Sequence, residues 1–62
     1  MLTLQTAIAY VKATFADSID SVISAAWAEE GGATFVEVLV KDGAWQGIAT
    51  VWEFEGQIYA DL

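Results

Sequence analysis

The chain contains no cysteine, histidine, arginine, proline or asparagine. Each absence excludes a kind of chemistry. Without cysteine there is no disulfide framework, thiolate nucleophile, zinc–sulfur site or iron–sulfur cluster. Without histidine the commonest general base and the commonest transition-metal ligand are gone. Without arginine there is no planar fork for phosphate or for guanine edges. Positive charge is scarce altogether, with Lys12 and Lys41 standing against nine acids for a net charge of −7. Two lysines cannot neutralise a phosphate track, so direct nucleic-acid binding is not expected. The same imbalance opposes docking on an anionic membrane. Long apolar runs are missing too. The longest, Ala7 to Val11, is far short of a membrane span. No basic segment precedes it and Lys12 interrupts it, so no secretory signal is expected and the cytoplasm is the default compartment.

What is present is apolar and aromatic. Hydrophobic residues make up 56% of the chain, with three Trp, two Tyr and three Phe. A disordered acidic tail has neither feature, so the acidity belongs to the surface of a folded unit. At 62 residues that unit is one small domain. Folding should reduce its accessible surface from roughly 9,700 to roughly 3,900 Å². The apolar share of that burial contributes about 90 kcal/mol, and ordering the chain costs about 90 kcal/mol. A single copy is therefore expected to be marginal, with self-association or a partner as the remaining source of stability.

Gly31-Gly32 divides the sequence into a helical part, 1–30, and a sheet part, 33–62. Thr3 is a candidate N-cap, and Leu4, Ala7, Ile8, Val11 and Phe15 follow at helical spacing. Asp17-Ser18 is a break. Ile19, Val22, Ile23, Ala26 and Trp27 then continue spacings of three and four, giving one bent helix or two shorter ones. Ile23, Ala25 and Trp27 also alternate as a strand would, and Glu29-Glu30 would sit badly at a helix C-terminus. Alanine content and spacing tip this segment towards helix.

Beyond the glycine pair the pattern is β. Thr34–Lys41 is rich in branched residues, Asp42-Gly43 is a hairpin signal, Ala44–Phe54 is a second strand, and Gln57–Asp61 returns after Glu55-Gly56. The expected fold is α+β, with one or two N-terminal helices on a three-stranded antiparallel meander. Two-residue loops at 42–43 and 55–56 place Glu37 opposite Ile48 and Trp52 opposite Tyr59. One face then carries Val36, Val38, Val40, Ala49 and Val51, an apolar surface for the helical stripe with Glu53 at its end. Its small residues Gly47, Ala49 and Ala60 leave room for a close helix. The other face carries Phe35, Leu39, Ile48, Trp52, Phe54 and Tyr59 among Glu37, Lys41, Gln46, Thr50, Gln57 and Asp61. A solvated sheet face is usually polar, so this one is a candidate interface unless the second helical segment covers it.

The function expected is that of a small acidic, non-enzymatic protein-binding module that occupies a basic partner surface stoichiometrically. Phe35, Leu39, Ile48, Trp52 and Tyr59 would anchor, while Glu37, Glu53 and Asp61 would steer. Phage-type inhibitors of nucleic-acid-processing systems, whose acids mimic a phosphate track, are a functional analogy rather than a sequence match. The competing reading is a structural homodimer or larger homo-oligomer that spends the aromatic face on itself. The acids also serve ordinary solubility. No metal or cofactor is expected: Asp17 with Asp20, or Glu29 with Glu30, lack the spacing of a calcium loop. No catalytic residue stands out, since Ser18, Ser21 and Ser24 have no histidine partner and no glycine-rich phosphate loop occurs.

Overall fold

A computed structural model describes every residue from Met1 to Leu62. It shows an α+β fold: helix α1 (Leu4–Thr14) packed on an antiparallel sheet of β1 (Ser21–Glu30), β2 (Ala33–Asp42), β3 (Trp45–Phe54) and β4 (Gln57–Asp61). Strand order follows sequence order, β1-β2-β3-β4, so the sheet is a meander.

α1 starts where the capping chemistry places it. The Thr3 side chain accepts from the Thr6 backbone N–H at 3.0 Å, and the Thr6 hydroxyl accepts from the Thr3 N–H at 2.8 Å. Two otherwise orphaned donors are thereby satisfied. The helix ends at Thr14, with Phe15 as C-cap.

The expectation of a second helical segment is corrected. Residues 21–30 form β1, the fourth strand, so the sheet is four-stranded rather than three-stranded. The reason is a β-bulge. Val22 pairs with Val40 and Ser24 with Leu39, leaving Ile23 as the extra residue. The bulge puts Val22, Ala25 and Trp27 opposite Val40, Val38 and Val36, all on the side facing the helix. A three-residue step between inward positions imitates helical spacing.

The β2–β3 register is corrected as well. Asp42 pairs with Trp45, so the loop is Gly43-Ala44 rather than Asp42-Gly43. Gly43 takes the first loop position with φ 61°, the turn that favours glycine there. The register moves by two residues, and because strand side chains repeat every two, both faces keep their residues. The β3–β4 register is as read from the sequence, with Trp52 opposite Tyr59.

The core lies between α1 and the sheet and is built from small side chains. Its fully enclosed members are Ala7 and Val11 from the helix and Val36, Val38, Val40, Ala49 and Val51 from β2 and β3. Leu2, 8% exposed, closes it at one end. Leu4, Phe15, Ile19, Val22 and Ile58 pack around it. The space above Gly47 is taken by Trp45, not by the helix: a β-carbon at Gly47 would overlap the indole ring. The accessible surface, 4115 Å², slightly exceeds the roughly 3,900 Å² usual for this mass, consistent with so small a core.

Candidate interaction face

The sheet face turned away from α1 is uncovered. Strand parity and the pairing lay it out in rows. The central row crosses the strands as Ala26, Glu37, Thr50 and Asp61. On one side of it lies an aliphatic row of Ser24, Leu39 and Ile48. On the other lies an aromatic group formed by Phe35, paired with Ala28, and Trp52, paired with Tyr59. The Trp52 and Tyr59 rings stack, with centroids 5.8 Å apart and planes 19° from parallel. Phe35, Thr50, Trp52 and Phe54 share a shallow, open groove. Ile48 is 53% exposed, Phe54 60% and Tyr59 43%. Phe35, Leu39 and Trp52 are half-buried by their neighbours in the sheet.

Charge on this face is organised by the pairing. Glu37 and Asp61 flank Thr50 on neighbouring strands, so their backbones stand about 10 Å apart, two strand spacings. Neither carboxylate has an ion-pair partner: the two ion pairs in the molecule are Met1 ammonium–Glu53 and Lys41–Asp20. The expected residues Phe35, Glu37, Leu39, Ile48, Trp52, Tyr59 and Asp61 therefore share one surface. Glu53 stands apart, on the helix side of β3. There its Oε1 accepts the Leu2 N–H at 3.0 Å, and Oε2 lies 3.8 Å from the Met1 ammonium. It holds the segment leading into α1. Thr50 and Phe54 belong to the face although the sequence did not single them out as contacts. Thr50 lies on this face by strand parity, and the corrected register changes only its role, making it rather than Ile48 the neighbour of Glu37. Phe54 was legible from strand parity and its size.

Asp20 is the other carboxylate with a defined task. Its Oδ2 accepts the Gly43 N–H at 2.8 Å, and Oδ1 lies 3.8 Å from Lys41 Nζ. Its own N–H donates to the Lys41 carbonyl at 2.9 Å. The Gly43 bond, helped by Lys41 and opposed by partial desolvation, lowers the Asp20 pKa from its ordinary 3.8. It pins the β2–β3 turn to the entry of β1. No cluster of three or more acidic side chains is close enough to hold a metal ion. No helix is long and apolar enough to cross a membrane.

No protein-family model, curated protein or solved structure matches the chain. The functional reading therefore rests on the surface itself.

Proposed function

We propose that the protein is a binding module that takes a basic protein segment onto its open sheet face, acting by occupation rather than turnover. The observation that carries this is the central row of the face. Two unpaired acids, Glu37 and Asp61, lie between an aliphatic strip and an aromatic strip. Large exposed apolar patches mark interaction surfaces, and Trp and Tyr are frequent anchors in them. A partner that presents arginine or lysine along the row gains charge complementarity, and Trp52 and Tyr59 offer ring faces to the same cations. The net charge of −7 draws such a partner in from a distance.

The row also ranks the competing reading, face-to-face self-association. Stacking two copies through this face would bury unpaired carboxylates against an apolar surface, which costs several kcal/mol per ion. A basic partner offsets that desolvation by setting a cation against each carboxylate. An inhibitor of a nucleic-acid-processing protein is one biological form of this module, since the basic grooves of such proteins carry the complementary charge.

The test is titration of the isotope-labelled protein with short arginine-rich peptides, alternating aromatic residues included, at two salt concentrations. Shift changes are expected to concentrate on Phe35, Leu39, Ile48, Thr50, Trp52 and Tyr59, and Glu37→Gln should weaken binding about tenfold. Binding should weaken as salt rises. Perturbations spread evenly over all acids, or an affinity indifferent to Glu37→Gln, would refute the reading.

A further inference from the structure

We infer that the free edge of β1 pairs with β1 of a second copy, antiparallel about a two-fold axis at Ala26, to give one continuous eight-stranded sheet. This surface is distinct from the open face and does not depend on the partner reading of that face.

The direction of the backbone groups comes from the turn. Glu30 and Ala33 flank the two-residue loop Gly31-Gly32, where both glycines have positive φ, so this closing pair exchanges both of its backbone hydrogen bonds. The pairs Ala28–Phe35, Ala26–Glu37 and Ser24–Leu39 follow at the same phase. The N–H and C=O groups of Ala25 and Trp27 therefore point away from β2, along an unoccupied edge.

Natural edge strands are guarded against pairing by charge, proline, shortness or cover. β4, the other edge, is short and ends on Asp61. β1 is twice as long as β4, and from Ser21 to Ala28 it carries no charge and no proline. Its acids, Glu29 and Glu30, lie outside that stretch. Its bulge at Ile23 leaves Ser24–Ala28 as the regular segment, with Ala26 at the midpoint.

A second copy fits this segment. About an axis at Ala26, Trp27 of each copy stands opposite Ala25 of the other, a large side chain over a small one, on the helix side of the sheet. Trp27 is 51% exposed in the single copy, and this contact covers it. Ser24 meets Ala28. The acids of one copy reach the bulged end of the other, where Val22 and Ile23 carry no charge, so no like charges stand opposite within the paired stretch. An axis at Ala25 would instead set Trp27 against the bulged Ile23. The pairing is isologous and closes on itself, so it yields a dimer and not a fibre. It also answers the small core, since the fully buried side chains are no larger than valine.

The experiment is light scattering and sedimentation from low micromolar to millimolar concentration, on the unaltered chain, Ala25→Pro, Ala26→Lys and Trp52→Ala. The unaltered chain is expected to be a dimer. Proline at position 25 removes an N–H that makes no bond within one copy, so the fold is kept. It deletes two hydrogen bonds across the axis, raising the dimer dissociation constant about thirtyfold. Combined with Glu37→Gln, which removes the acid paired with position 26, Ala26→Lys sets two ammonium groups opposite each other at an exposed position and decides the matter if Ala25→Pro does not fold. Trp52→Ala should leave the dimer intact. Amide exchange gives a second readout: Ala25 and Trp27 should be protected in the dimer, with Trp27 exposed in both edge variants and Ala25 exposed in Ala26→Lys, while Ser24 and position 26 stay protected throughout. A monomer at every concentration overturns the proposal. So does a dissociation constant unchanged in the edge variants, or a dimer that dissolves with Trp52→Ala.

Discussion

At the scale of single residues, Asp20 is the side chain whose protonation the structure controls most clearly. Its folded pKa is lowered by the Gly43 N–H. A depressed carboxylate means that the unfolded chain binds the proton more readily. Its contribution to stability is therefore complete above the ordinary value of 3.8 and disappears as pH falls through the lower folded value. An NMR titration of the Asp20 carboxyl should give a midpoint below 3.8, and Asp20→Asn should flatten the acid limb of the stability curve. A midpoint at or above 3.8 would show that the Gly43 contact is not kept in solution. This role was not legible in the sequence, where Asp20 stood out only as a neighbour of Asp17 without calcium-loop spacing. The Gly43 N–H reaches it only because β1 and the β2–β3 turn meet in three dimensions. Thr3 was legible, because a cap acts on groups within its own turn.

At the scale of elements, the helix holds the sheet by a narrow strip. Val11 is its largest fully buried side chain, seated among the valines of β2 and β3. Val11→Ala should cost about 2 kcal/mol, read as a lower urea midpoint at unchanged slope. A loss within error would mean that α1 is not docked as described. The parity of β2, β3 and β4 could be read from the sequence because each alternates without interruption. β1 could not, because the bulge at Ile23 breaks the period of two and its alanines suit a helix. Asp42-Gly43 resembles the commonest hairpin dipeptide, yet glycine is needed one loop position earlier than that pattern assumes. The aromatic half of the candidate face survived that slip. The expected pairing of Glu37 with Ile48 did not, since Glu37 pairs with Thr50.

At the scale of the whole molecule, charge is the dominant unbalanced quantity. Nine acids share a 62-residue surface with two lysines, and both ion pairs are loose and solvated at 3.8 Å. Such pairs contribute little, whereas the summed repulsion acts across the whole surface. Moderate salt should therefore raise the thermal midpoint by screening repulsion more than attraction. A midpoint that falls with added sodium chloride would show that the loose pairs matter more than the excess charge.

The connections of the sheet have a kinetic consequence. Gly31-Gly32, Gly43-Ala44 and Glu55-Gly56 are each two residues long, so every strand finds its neighbour by closing a minimal loop. Little entropy is lost before each ladder begins to form, and the sheet can assemble hairpin by hairpin at the fast end of the range for β structure. The bond from the Leu2 N–H to Glu53, spanning 51 positions, is the exception. Leu2 and Glu53 meet only through the tertiary fold, so this bond is expected to form after the hairpins it bridges.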